Sequence, residues 1–496
     1  MTADAYAQLE TRFHRIASVN HALSVLHWDL ATMMPEGGMD ARSEQMATLK
    51  VVAHELLVDP RVGELLDGAG AQDDAWRAAN LREMRRQYVH ATALPTRLVE
   101  ELSKANAKCE AMWREARPNN DFAMILPQLE RVIALHREAG QAKAAVLGVE
   151  PYDALLDQWE PGGRATEIDA VFDPLAALLR PLIEQVLDRQ ASRPAPIVPP
   201  GPFPVEQQRA LGERLMRTLG FDFKHGRLDV SLHPFCGGTP DDVRITTRYS
   251  EDLFVQSLMG VLHETGHALY ERGLPAEWRY QPVGEPRGMS IHESQSLLVE
   301  MQACRSRAFV EYLAPIAREA FGGSGPAWEA ENLYRLYTRV ERGLIRTESD
   351  EVTYPAHVIL RYRLERKLLS GELPAAELPA AWNASMQELL GVTPPDDRLG
   401  CLQDIHWYDG AWGYFPTYTL GAMTAAQLFD AAVRQTPDIP DAMRRGDFAP
   451  LVQWLRANVH AKASLLTTRD LLSAATGRPL DPSAFERHLR RRYLDE

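Results

Sequence analysis

A chain of 496 residues with 45% apolar and 25% charged side chains can bury a core of its own, so disulfides or metals are not needed merely to hold the fold. The net charge of −14, with one compact basic run at Arg487 to Arg492 ("RHLRRR") that reads as a solvated helix face, argues against nucleic acid as a partner. Cys109, Cys236, Cys304 and Cys401 form no C-x-x-C pair, no apolar run reaches the roughly 18 residues that span a bilayer, and the polar N-terminus lacks the apolar stretch of a signal peptide, which together predict a cytoplasmic protein with reduced thiols and no membrane partner.

In chain order, the first 190 residues predict successive amphipathic helices. "AYAQLETRFHRIASVNHALSVLHW" and "AWRAANLREMRRQYVHATAL" both space apolar residues by three and four, and the turn signals "MMPEGG", "REARPNND" and "WEPGGR" separate such segments. The stretch Ser192 to Pro204, "SRPAPIVPPGPFP", is too proline-rich for a helix or a central strand and reads as a stiff connector. The expected organisation is one domain over residues 1–496, with a helical N-terminal subdomain over 1–190 and the connector at 192–204. After a short helix, "LDVSL" and "VRITTRY" are β-branched and alternating, with Gly and Pro between them, and predict a small antiparallel hairpin. Helical patterns then run from Ser250 to the C-terminus. The class is mainly α with one small sheet.

Directly after that sheet comes "SEDLFVQSLMGVLHETGHALYERG". Ser250 is its expected N-cap, Glu251 and Asp252 fall in the expected first turn, and Gly273 followed by Pro275 marks the end. His263 and His267, four apart, project from one face of such a helix and can hold one ion at Zn–N distances of about 2.0–2.1 Å. Glu264 lies about 100° further round, within reach of a water on that ion. The surrounding residues, from Leu258 to Leu269, are largely apolar, so two histidines and a glutamate placed there without partners would carry a desolvation cost.

A catalytic zinc site takes three protein ligands and leaves one position open. In the next helical segment, Gly288 to Phe309, Glu293 is the candidate third ligand. Two alternatives stay open on spacing alone. Ser290-x-x-Glu293 also reads as a capping box, and His292 competes as ligand, with Glu285 and Glu300 nearby in sequence.

Several motifs together resemble the carboxypeptidase Taq family of metallocarboxypeptidases. They are "LHWDLATMMPEGGMDARSEQ" (Leu26 to Gln45), "HPF" (His233 to Phe235), "DVRIT" (Asp242 to Thr246), "HETGH" followed by "HESQS", and "GCLQDIHW" (Gly400 to Trp407) with "GYFPTYTLG" close behind. "IRTESD", Ile345 to Asp350, departs from the family's pattern only in carrying Ser349 where alanine is expected. The resemblance implies a large helical metallopeptidase fold with a deep groove and a small sheet beside the zinc helix. It further implies a homodimer, and broad release of C-terminal residues with proline disfavoured. It makes Glu293 the third metal ligand beside His263 and His267.

The chemistry that follows is hydrolysis of a peptide bond. Zn2+, for which Co2+ or Mn2+ can substitute, would lower the pKa of a bound water, and Glu264 would carry its proton to the leaving amine. Tyr418 and His406 are the candidates for stabilising the oxyanion, with Tyr414 as the alternative. An exopeptidase must also grip the free carboxylate of its peptide substrate, for which Arg244 and Arg346 are the candidate forks; the rival for each is an ion pair, with Asp242 or Asp350. Gln403 is counted with the substrate-binding set, and with Asp404 it can orient a histidine or arginine. "RITTRY" is a candidate edge strand for an extended peptide. A metallo-endopeptidase or dipeptidyl carboxypeptidase on a similar fold is the alternative activity.

Overall fold

The computed structural model describes residues 2–495 and is mainly helical around one small sheet. A continuous apolar core runs from Leu98 to Tyr493 and takes in helices from every part of the chain after the first hundred residues. The first helix, α1 (Thr2–Thr32), belongs elsewhere. Its Tyr6, Leu9, Phe13 and Ile16 form a separate small core with Val62, Leu65, Leu66 and Met84 from the helices Pro60–Gly68 and Ala75–Thr92. The packing boundary therefore falls between the helices Ala75–Thr92 and Thr96–Asn119, not at residue 190.

The far end of α1 is tied to the sheet. Ser24 Oγ donates to the Gly238 carbonyl at 2.7 Å, and the Trp28 indole carries the Arg227 and Arg244 guanidiniums at 4.9 and 4.3 Å. Anchored at both ends, α1 roofs a concavity of about 500 Å3 over the helices below. The proline-rich connector is pinned to the body. Asn332 exchanges two hydrogen bonds with the backbone of Ile197, and Phe203 packs against Phe254, Phe321 and Trp328.

The sheet differs from the expected hairpin. Its strands β1 (Gly226–Val230), β2 (Cys236–Thr239) and β3 (Asp242–Thr247) lie in the order β1-β3-β2. The antiparallel partner of β3 is β2, with Cys236 opposite Ile245, while β1 runs parallel to β3 with Leu228 opposite Ile245. The tight turn joins β2 to β3, and the chain from Ser231 to Phe235 carries β1 across to the other edge. Ser231 Oγ bonds to Thr246 Oγ1 at 2.7 Å there, and Thr246 Oγ1 accepts from the Phe235 amide. β3 is thus the central strand, paired on both sides, and is not an edge to which a peptide can add.

The helix after the sheet, α2 (Phe254–Gly273), starts three residues later than an N-cap at Ser250 would place it. Ser250 and Glu251 stay outside the helix, their carbonyls accepting from Gln208 Nε2 and the Phe203 amide. No side chain caps α2, and the acidic pair lies outside its first turn. The next segment is likewise broken up. α3 (Met289–Leu297) continues as a π-helical stretch over Leu298–Cys304, and a new helix, Arg307–Ala320, then starts at the N-cap Ser306. Two further helices complete the surroundings of the site, α4 (Tyr354–Ser370) and α5 (Pro416–Gln435).

The basic run near the C-terminus is not a solvated face throughout. His488 and Arg492 are buried and meet the fully buried Glu351, which also accepts from Gln302 Nε2 and the Tyr493 hydroxyl at 2.9 and 3.0 Å. Arg492 donates in addition to the carbonyls of Met301 and Gln302, in the π-helical stretch. Burial alone would raise the Glu351 pKa, but His488 and Arg492 outweigh it and bring the pKa down from 4.5 to about 2. A depressed carboxylate contributes stability that is complete above its unfolded pKa and is lost as pH falls toward the folded value. Glu351→Ala should therefore cost about 3–5 kcal/mol in urea unfolding at pH 7, since it strands a buried guanidinium, and the gap to the parent should narrow between pH 4.5 and 2.

Candidate metal centre

Two close approaches set the site. At Gly266 of α2 a Cβ would lie 2.5 Å from the Gln295 carbonyl oxygen and 2.6 Å from the Ser296 Cα, so only glycine lets α2 cross α3 this closely. At Gly421 of α5 a Cβ would lie 2.9 Å from the Glu293 side chain. The glycine inside "HETGH" is thus a packing requirement that brings the two imidazoles down onto the glutamate of α3. The start of α3 is held by Glu160, from the "WEPGG" turn, whose Oε2 accepts from the Ser290 amide at 3.0 Å, while the Met289 amide donates to the Trp159 carbonyl. That arrangement replaces the capping box: Ser290 lies inside the helix, its amide goes to Glu160, and the Glu293 carboxylate is turned toward the histidines.

Glu293 Oε2 lies 3.4 Å from His267 Nε2 and 3.8 Å from His263 Nε2, and one donor atom from each of the three residues falls within 4.8 Å of the others. Donors on bonds of about 2.1 Å at tetrahedral angles sit about 3.4 Å apart, so the three residues fit a small divalent ion. The competitors are placed elsewhere. His292 Nε2 bonds to Glu271 Oε1 at 2.8 Å, and Glu285 accepts from Gln87. Glu300, in the π-helical stretch, accepts from His263 Nδ1 at 2.9 Å and from Arg305 at 2.5 Å, which fixes the His263 ring with its Nε2 toward Glu293.

The electrostatics call for a cation. Burial opposes charge on His263, yet Glu293, Glu300 and Glu264 outweigh it and push its pKa up to about 10. Glu264 is buried, with Oε2 free of any hydrogen-bond partner among the described residues. Burial raises its pKa, His263 pulls it back and Glu293 pushes it up, leaving it at about 7, where a carboxylate can both take and give a proton.

On α5 and the turn before it, His406 Nε2 and the Tyr418 hydroxyl are 3.0 Å apart, and Tyr414 packs edge-on against Tyr418. Burial and the charge of Glu293 push Tyr418 up to about 12 despite Arg346, so its phenol stays protonated as a donor. Burial, only partly offset by Asp404, lowers His406 to about 3, so it is neutral. Arg346 sits 4.6 Å over the Tyr418 ring and bonds to Asp404, not to Asp350, whose carboxylate caps Val352 and Thr353. Asp404 also accepts from the fully buried Arg361 at 2.6 Å. Gln403 accepts from the Arg346 amide and Arg361 Nη2 and donates to carbonyls of Leu344, Leu399 and Gly400, so its amide is spent on the protein. Arg244 is bonded through two nitrogens to Asp242, beside a matching Arg227–Asp229 pair on β1. Glu300, as an orienter of His263, and Arg361 are the contributors that sequence reading passed over. Glu300 was visible only as a nearby acid, and Arg361 gave no signal within "RYRLERK".

Residues 8–493 match the carboxypeptidase Taq (M32) metallopeptidase family. The chain belongs to that family. It is 40% identical to a thermostable carboxypeptidase 1 of Thermus thermophilus and 35% identical to one of Pyrococcus furiosus, with 99% and 98% of both chains covered respectively. Its fold superposes on metallocarboxypeptidase 1 of Trypanosoma cruzi with a TM-score of 0.97 at 43% identity, covering 99% of this chain and 100% of that one. An M32 carboxypeptidase of Deinococcus radiodurans gives 0.93 at 35%, with 99% of each chain covered. A metallopeptidase family implies a metal ion, and the site described above is the one group of side chains among the described residues that could hold one.

Glu300→Gln should lower metal affinity about 10–100-fold in a chelator competition, because it loosens His263. Glu293→Ala should abolish stoichiometric binding in the same assay. Parent-like affinity in either variant would contradict this arrangement.

Proposed function

We propose that this M32 metallocarboxypeptidase releases single C-terminal residues from peptides, with broad side-chain tolerance, using zinc held by His263, His267 and Glu293. The observation that carries this reading is the buried His263–His267–Glu293 cluster with the unpartnered Glu264 carboxylate beside it. When bound, the ion supplies Lewis acidity to a water and to the scissile carbonyl. Glu264, poised near neutrality, takes the water's proton as the water attacks and delivers it to the departing amine nitrogen. Tyr418, kept protonated, donates to the carbonyl oxygen as negative charge builds there, and His406 holds the Tyr418 hydroxyl in place. Tyr414, against Tyr418, supports its orientation.

Charge balance separates the two candidate arginines. On the sheet, Arg227 and Arg244 are matched one-to-one by Asp229 and Asp242. Beside Tyr418, Arg346 and Arg361 share the single carboxylate of Asp404, which leaves one positive charge in excess. We assign the pull on the substrate's terminal carboxylate to Arg346, with Gln403 and Asp404 positioning it, and a supporting role at the sheet to Arg244. The thiols are all free, which suits a reducing, cytoplasmic setting, and no helix among the described residues is long and apolar enough to cross a membrane.

The test is hydrolysis of one blocked peptide with its C-terminus either free or amidated. Stepwise loss of residues from the free form only, abolished by a chelator and restored by zinc, is expected; equal cleavage of both forms would make the enzyme a metallo-endopeptidase. Arg346→Lys should raise KM for the free peptide by about tenfold or more, whereas Arg244→Lys should change it little.

A further inference from the structure

The concavity under α1 holds a buried cation that the peptide chemistry leaves unused. Lys143, 5% exposed, lines it, and its Nζ makes one hydrogen bond, to the neutral Gln158 Oε1 at 2.6 Å. Two of its three donors are therefore unspent. The neighbouring acid is already engaged: Asp157 Oδ2 lies 2.8 Å from His90 Nε2 and 3.8 Å from Arg86. Burial, only partly offset by Asp157, pulls the ammonium pKa down to about 8, the mark of a charge that water does not solvate well. An incoming carboxylate would supply the missing partner.

Glu285, exposed, lines the same concavity, with one oxygen accepting from Gln87 Nε2. Phe13 and Ile16 of α1, with Leu57, give the concavity apolar lining. A cation, an acid and apolar side chains lining one concavity match a zwitterion bearing an apolar side chain. The volume of about 500 Å3 suits a molecule the size of an amino acid or a dipeptide. The concavity is linked to the site through Trp159. Gln158 precedes Trp159, whose ring meets Tyr414 at 5.0 Å and whose carbonyl holds the first amide of α3.

We propose that this concavity is a binding site for a free α-amino acid with an apolar side chain, with Lys143 taking its carboxylate and Glu285 its ammonium group. The ligand class is the product of the reaction proposed above, and the inference rests on that reading only for the ligand's origin. The site is separate from the Arg346 locus, so the two can fail independently.

The probe is L-leucine, titrated calorimetrically into the metal-loaded enzyme, with leucinamide and 4-methylpentanoate as analogues lacking the carboxylate and the ammonium group. The expected result is one leucine per chain, bound at least about tenfold more weakly by Lys143→Met and hardly at all when leucinamide replaces leucine. Glu285→Gln should weaken leucine but leave 4-methylpentanoate unchanged, a pattern that misfolding would not produce. Arg346→Lys should bind leucine as the parent does while its peptide KM rises. Leucine bound equally by the parent and Lys143→Met, or not bound at all, would overturn the assignment. A peptide KM raised in Lys143→Met together with weaker leucine binding would support it, and would show that the uncleaved chain reaches the same well.

Discussion

The site depends on how closely three helices approach one another. α2, α3 and α5 meet at Gly266 and Gly421, where any side chain would collide with backbone or with Glu293 itself. Because the helices touch there, ligand-bearing residues twenty-six to thirty apart in sequence bring their donors to the spacing of a metal's coordination sphere. The His263 imidazole is then aimed from behind by Glu300, itself held by Arg305, from the π-helical stretch Leu298–Cys304. That stretch breaks the regular α-helical ladder, and Arg492 satisfies two of its carbonyls from the far end of the chain. Local irregularity at the site is thus supported by tertiary contacts brought from the C-terminus.

Charge is distributed with equal economy. Around the histidines, three carboxylates converge in a buried setting and demand a cation. Beside Tyr418 the sign reverses, with two guanidiniums against one aspartate. A substrate carbonyl placed between these regions would meet a proton acceptor on one side and neutral donors on the other. The low pKa of His406 and the raised pKa of Tyr418 share a leading cause, burial, and keep both groups uncharged where charge must develop only during reaction.

How much of this was readable from the residues follows the range of the interactions. His263, Glu264 and His267 sit within one helical turn and a half, so spacing alone groups them. On spacing alone Glu293 stood between a ligand and a cap; the structure removes the cap by placing Glu160 on the Ser290 amide, a partner 130 positions away. The start of α2 differs from its local signals because Gln208 and Phe203 take the carbonyls of Ser250 and Glu251, which no local signal announces. The parallel pairing of β1 is likewise set by the crossing from Ser231 to Phe235, not by strand composition. Arg361 and Arg492 lie in runs that look like solvated basic faces, yet each is buried against a carboxylate from another element. Propensity reports what a segment favours alone, and these positions are decided by what packs against it.

The most direct test of the central claim is a paired measurement on Glu264→Gln: metal content per chain by elemental analysis, and kcat on a peptide with a free C-terminus. One tightly held ion together with a loss of about a hundredfold or more in kcat is the predicted result, since the ligands are intact and the proton carrier is gone. Full metal content with kcat within about tenfold of the parent would contradict the account and move the proton transfer to another group.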